Sequence, residues 1–202
     1  MKNIGAYIFL SIVLLSCSDS SSKSAFEGSA KKTVTTEVGT IPDESIYQLT
    51  DSFQTQNNKS VTLSFLKGKP TVLGMIFTHC DYACPRLTAD IKNIEEKLKP
   101  GDDKINFVLV SFDTKRDTPT QLKKYASELN LDKNWTLLHG SEEAVRTLSV
   151  LLNVQFVKDA AGNFSHSNII SVLDPSGMLQ FQKEGLEADH TATINTIKSL
   201  IP

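Results

Sequence analysis

The sequence predicts an α/β sandwich, with a mixed central β-sheet, helices on both faces and an N-terminal β-hairpin. Three observations carry that expectation. Two continuous apolar runs of strand length, residues 71–77 and 105–112, have the character of strands buried on both faces. Between them Leu87, Ile91, Ile94 and Leu98 fall four, three and four residues apart, one stripe of a helix, which makes a βαβ unit. Helix and strand patterns then alternate to the C-terminus, as layered α/β proteins require.

The elements follow in order. Residues 53–63 read as two short strands around Asn57-Asn58, since Asn tolerates the positive φ of a tight turn. The helix after the first long strand ends before Pro100-Gly101. A second helix begins at Asp117-Thr118-Pro119, a capping residue followed by proline at the first helical position, and buries Leu122, Tyr125, Ala126 and Leu129. A strand over 135–138 and a third helix over 142–152 come next. The strand 169–173 then leads through Asp174-Pro175-Ser176-Gly177, which suits a type I turn, into an antiparallel partner over 178–181. A last helix near 191–200 closes the chain, and no internal repeat is visible.

Composition bounds the function. The chain has 202 residues, 40% hydrophobic and 22% charged, with 17 Gly plus Pro, which excludes collagen-like, low-complexity and wholly disordered classes. Its formal net charge is −2, and loss of a leader containing only Lys2 takes it to −3, so nucleic-acid binding has no electrostatic support.

Lys2 precedes the apolar run 4–15, which at 12 residues falls short of the roughly 20 that a membrane-spanning helix needs. It reads as the apolar region of a signal peptide. The run ends in Leu14-Leu15-Ser16-Cys17, which resembles the lipobox of bacterial lipoproteins, where the cysteine is acylated and becomes the first mature residue. The expected organisation is a signal peptide over 1–16, a lipidated flexible tether over 17–44 and one folded domain over 45–202. Residues 18–40 are rich in Ser, Lys, Thr and Glu, with too little apolar surface to offset the entropy of ordering them. The domain is then extracytoplasmic, on the periplasmic side, and held to a bacterial membrane through Cys17.

The other two cysteines, Cys80 and Cys84, lie in Phe77-Thr78-His79-Cys80-Asp81-Tyr82-Ala83-Cys84-Pro85, where the first long strand ends and a helix begins. That carboxyl edge is where α/β folds place their sites. With Pro85 at the first helical position, Cys84 is the expected N-cap, and the free amides and helix dipole should lower the nearby thiol pKa. Three intervening residues let both sulfurs face one point, to close a small disulfide or to grip one ion. Spacing does not choose between these.

The sequence resembles the Sco/SenC family of thioredoxin-like copper proteins. The resemblance rests on Gly68-Lys69-Pro70, Phe77-Thr78-His79-Cys80, Cys84-Pro85, the segment from Ser111 through Asp113 and Asp117 to Pro119, and His166-Ser167 followed by Asp174-Pro175-Ser176-Gly177. It implies a thioredoxin-like fold over roughly 45–201 and copper, Cu(I) or Cu(II), held by Cys80, Cys84 and His166. Two thiolates and an imidazole suit soft Cu(I), whereas structural zinc wants a fourth ligand. Of the other histidines, His79 should point away at the strand end, His139 follows a different strand, and His190 begins the last helix. Thioredoxin-like oxidoreductases carry a cis-proline where Asn168 stands here, and its replacement implies room for a histidine ligand. Asp113, at the carboxyl end of its strand, is a candidate for tuning His166, although a turn residue bonding nearby backbone is an equal reading; capping alone explains Asp117. Asp81 departs from the proline common in the family at this position.

The resemblance implies a metallochaperone that delivers copper to, or prepares the cysteines of, the binuclear copper site of cytochrome c oxidase, with the copper-bearing subunit as partner. The alternative is a membrane-tethered thiol-disulfide oxidoreductase in which Cys80 attacks and Cys84 resolves.

Overall fold

The computed structural model describes residues 42–98, 104–160 and 162–201. Cys17, the expected signal peptide and most of the expected tether lie outside them. Among the described residues no helix is long and apolar enough to cross a membrane.

The elements are β1 (Phe53–Thr55), β2 (Ser60–Val61), β3 (Thr71–Ile76), α1 (Ala83–Leu98), β4 (Asn106–Ser111), α2 (Pro119–Glu128) and β5 (Trp135–Gly140). They continue with α3 (Glu142–Leu151), β6 (Phe156–Lys158), β7 (Phe164–His166), β8 (Ile169–Leu173), β9 (Leu179–Glu184) and α4 (Thr191–Leu200). Seven strands form one sheet in the order β2-β1-β5-β4-β3-β8-β9, and β6 and β7 form a separate two-stranded sheet. Strands β3, β4 and β5 are mutually parallel, while β8 is antiparallel to β3 and β1 to β5, so the sheet is mixed as expected. β3 lies in its interior between β4 and β8 with every residue buried, which is why the sequence after Thr71 is uninterrupted by polar side chains.

Alternation along the strands settles which helix covers which face. Gly74, Leu109 and Leu137 share one row across β3, β4 and β5. A Cβ on Gly74 would come within 3.0 Å of Ile91 and 3.6 Å of Leu87, so this row faces α1, and only glycine admits so close an approach. Gly140 is three residues beyond Leu137 and therefore on the opposite pleat. A Cβ there would meet Phe53 at 2.7 Å and Val145 of α3 at 3.2 Å. Thus α1 and α3 cover opposite faces. Helices α2 and α4 join α1: Thr88 and Tyr125 share a hydroxyl contact at 3.1 Å, Lys92 Nζ donates to the Leu129 carbonyl at 2.9 Å, and α4 packs on α1 and β9.

Several local expectations change. Helix α1 starts at Ala83, placing Cys84 inside its first turn and Pro85 one residue further on. At α2 the expected cap before Pro119 does form, through Thr118, which accepts the Gln121 N–H, and Asp117 is left for another task. β5 runs on to Gly140 because β1 pairs with it through that residue. The β6–β7 hairpin was not expected: each strand has only three residues, and its turn is closed by Asp159 and Gly162, the latter at φ 88°. The Asp174 turn forms as expected, with the carboxylate accepting from Ser176 and Met178 and Gly177 at φ 83°.

Candidate metal centre

The site begins where β3 ends. After Ile76 the chain leaves the sheet, and the loop 77–82 returns into α1, bringing Cys80 and Cys84 to the carboxyl edge of the parallel strands. Cys84 is fully buried and Cys80 half-buried, and both are free thiols. The Cys84 amide, an unpaired donor of the first helical turn, points at Cys80 Sγ at 3.4 Å. The Phe77 amide points in turn at Cys84 Sγ, also at 3.4 Å. Each sulfur thus receives one backbone N–H, which favours the thiolate whenever the proton is displaced.

His166 enters from the other side, at the end of β7. Its Nδ1 lies 3.1 Å from the Ser167 carbonyl, and a carbonyl only accepts, so the proton resides on Nδ1 and the Nε2 lone pair is free. That Nε2 stands 3.6 Å from Cys84 Sγ. The two sulfurs and an imidazole nitrogen all lie within 4.8 Å of one another. Donors sharing one ion at about 2.0–2.3 Å are up to about 4.5 Å apart, so a slight closing of the half-exposed Cys80 loop completes a three-coordinate nest. The ring of His166 rests on an aromatic bed, edge-on to Phe77 with centroids 6.0 Å apart and tilted against Phe112 at 5.0 Å. Phe164, two residues before it on β7, packs on both of those rings and anchors the hairpin.

The electrostatics differ from the sequence-based expectation for the thiols. Burial, the dominant cause, pushes the Cys84 thiol well above the usual cysteine range; the neighbouring Cys80 adds to the rise, and the Phe77 amide only partly opposes it. Its side chain is inside the first turn of α1 and shut off from water, so desolvation outweighs the helix dipole. Cys84 is therefore a thiol when no metal is bound. Burial also lowers the His166 pKa, with the Ser167 contact opposing it, which keeps the ring neutral and able to ligate.

Both aspartates have partners other than those the sequence reading gave them. Asp113 is fully buried, but its carboxylate is engaged by Arg116 and by Lys158 at 3.5 Å, whereas the group facing Nδ1 of His166 is the Ser167 carbonyl. Asp113 is thus a neutralised anchor and not the partner of His166. Asp117, also fully buried, does more than precede a cap. It accepts the Thr78 amide at 2.8 Å, the Thr78 hydroxyl at 2.6 Å and the Ser111 hydroxyl at 2.6 Å, and Gln121 adds a bond to the Thr78 hydroxyl. These bonds pin the residue two before Cys80, so the end of β4 and the start of α2 fix where the cysteine loop departs. His79 turns away from the sulfurs toward Asp117, 3.5 Å distant, as the sequence reading expected. His79, Asp113 and Asp117 form a second cluster of possible donors, but its carboxylates are already committed to these partners. His190 is buried beside Asp90 at 3.5 Å and belongs to the α1–α4 contact. Sequence reasoning missed Thr78, Ser111 and the phenylalanine bed, since polar residues beside a motif and aromatics in strands look the same whether or not they serve a site.

A dithiol loop at the strand-to-helix switch of a mixed α/β sheet, with one sulfur buried and one half-buried and an imidazole from a distant hairpin beside them, defines a thioredoxin-like domain equipped to bind a soft metal ion. The chain belongs to the SCO1/SenC family, whose family model matches residues 43–201. It is 30% identical over 153 residues to the SCO1 protein homolog of Bacillus subtilis, covering 73% of this chain and 79% of that protein. Among solved structures it resembles copper-bound ScoI of Bradyrhizobium japonicum, with a TM-score of 0.64 and 26% identity over 75% of this chain and 97% of that one. It also resembles BsSco, a member of the Sco family of cytochrome c oxidase assembly proteins for which a disulfide switch is described. There the TM-score is 0.65 and the identity 30%, covering 74% of this chain and 90% of the other.

Proposed function

We propose that this chain is a copper metallochaperone. It binds one ion through Cys80, Cys84 and His166 and passes it to the binuclear copper site of cytochrome c oxidase during assembly. The observation that carries this reading is the convergence of two sulfurs and a neutral imidazole, from elements more than eighty residues apart, within 4.8 Å. Copper is the cargo. Its arrival displaces the Cys84 proton and leaves two thiolate ligands that accept the Cys84 and Phe77 amides, while His166 offers Nε2 without losing a proton. Three donors leave the ion coordinatively open on the side of Cys80, where a partner's ligand can add before one of these leaves. The copper-bound Bradyrhizobium protein and the oxidase-assembly description of BsSco support the same cargo and destination.

The domain is held outside the cytoplasm by a lipid on Cys17, after removal of residues 1–16, with 17–44 as its tether; the support is the short apolar run ending in Leu14-Leu15-Ser16-Cys17. A second reading, reduction of the oxidase cysteines, draws on a specific feature: Cys80 is the more exposed thiol, with Cys84 close behind it to resolve a mixed disulfide. Stoichiometric copper titration of wild type and His166→Ala, beside an insulin-reduction assay, separates the two. Tight one-to-one binding that weakens at least about tenfold in the variant supports the chaperone. Unchanged affinity together with vigorous insulin reduction would replace it with the oxidoreductase.

A further inference from the structure

Phe112, whose ring touches His166, also lines a second cavity of about 100 Å³ that contains none of the three sulfur and imidazole donors. Its floor is aromatic, made by Phe112, Phe156 and Phe164, with Phe112 stacked on Phe156 at 5.1 Å. Its rim is cationic. Arg146 lies over the Phe156 ring at 5.0 Å, Lys158 over the Phe164 ring at 4.9 Å, and Lys115 reaches the opening with no ion-pair or hydrogen-bond partner among the described residues. Two carboxylates also face it. Asp113 is already engaged by Arg116 and Lys158, and Glu142 is an exposed residue 3.7 Å from Arg146. Lys115, Arg146 and Lys158 therefore outnumber the two acids of the lining, Asp113 and Glu142, and Arg116 outside it takes up part of the Asp113 charge, on a chain whose net charge is −2.

We propose that this cavity binds a small organic carboxylate, its apolar or aromatic body on the phenylalanines and its carboxylate between Lys115 and Arg146. The two halves of the lining each exclude a simpler ligand. A hydrated inorganic anion would satisfy the cations but would have to shed water over an aromatic floor that returns nothing for it. A neutral apolar molecule would cover the floor but strip water from Lys115, which has no acidic partner among the described residues, without bringing a counter-charge. A carboxylate on an apolar body matches both, since pockets of this kind combine an apolar lining with a few placed polar groups. The inference is independent of the copper reading, because no cysteine and no histidine lines the cavity.

Benzoate is the probe, titrated into the copper-free full chain while the ring resonances of Phe156 and Phe164 are followed by NMR. Saturable shifts are expected, weakened about tenfold or more by Lys115→Gln combined with Arg146→Gln, and about tenfold or more for benzyl alcohol, which keeps the ring but lacks the charge. Both substituted positions are exposed or half-exposed on the rim, and Phe156→Leu, which keeps the volume but removes a ring, provides a second variant that should also weaken binding. Absence of saturable shifts, equal binding of benzyl alcohol, or binding of inorganic phosphate as tight as benzoate would each overturn the proposal.

Discussion

Asp117 is the residue whose removal tests the site without touching a metal donor. Its carboxylate accepts from Thr78 twice in part-buried bonds and from Ser111 in a fully buried one. Asn would turn an amide group toward donors that then lack an acceptor, and each buried group left unsatisfied costs about 1–3 kcal/mol. Asp117→Asn should therefore lower the urea-unfolding free energy by at least that amount and weaken copper binding as the loop before Cys80 loosens. An unchanged unfolding midpoint would show that Thr78 is held by something else. Proton competition supplies a second prediction. Burial raises the Cys84 pKa, so its proton is still bound across the neutral range and must leave when copper arrives. Apparent copper affinity should rise with pH by about tenfold per unit for each thiol proton released. His166 acts the other way: its lowered pKa keeps the ring deprotonated, so it adds little competition until the solution is more acidic than an ordinary histidine requires. Competition titrations at several pH values check the slope, and a flat profile contradicts the assignment of the buried thiol as a ligand.

Among the elements, the β6–β7 hairpin matters most and was least legible. The strands β3, β4 and β8 announce themselves as unbroken runs such as Thr71 to Ile76 because both of their faces are covered. The stripe of Leu87, Ile91 and Ile94 likewise places α1 against the sheet, since helical spacing leaves one face for burial. Phe156–Lys158 and Phe164–His166 carry no comparable pattern, for a two-stranded ribbon is half exposed and its aromatics gain their meaning only from Phe77 and Phe112 beneath them. The cysteine loop and His166 were each readable by resemblance, but the cradle that joins them is tertiary. The burial of Cys84 was hidden for the same reason: the local sequence suggests a cap, and only packing around the first turn of α1 excludes water. Phe164→Ala should separate hairpin from sheet, costing about 3 kcal/mol as a large-to-small aromatic change and reducing copper affinity with Cys80 and Cys84 intact. Full affinity in a destabilised Phe164→Ala protein would show that His166 keeps its place without the bed.

At the scale of the molecule, the sheet fixes one edge where the dithiol loop, the Asp117 tie and the imidazole meet, and the proposed lipid on Cys17 has its own test. Cys17→Ala should move the chain from the membrane fraction to the soluble one on fractionation, leaving its copper affinity unchanged because the anchor and the donors share no residue. Retention of Cys17→Ala in the membrane would contradict the lipid anchor. The ligand set itself is read most directly by X-ray absorption at the copper edge of the Cu(I)-loaded protein, compared with His166→Ala. Two sulfur scatterers and one imidazole are predicted for the wild type, with the imidazole contribution lost and both sulfurs kept in the variant. An imidazole signal that persists in His166→Ala, or a wild-type shell with fewer than two sulfurs, would contradict the account.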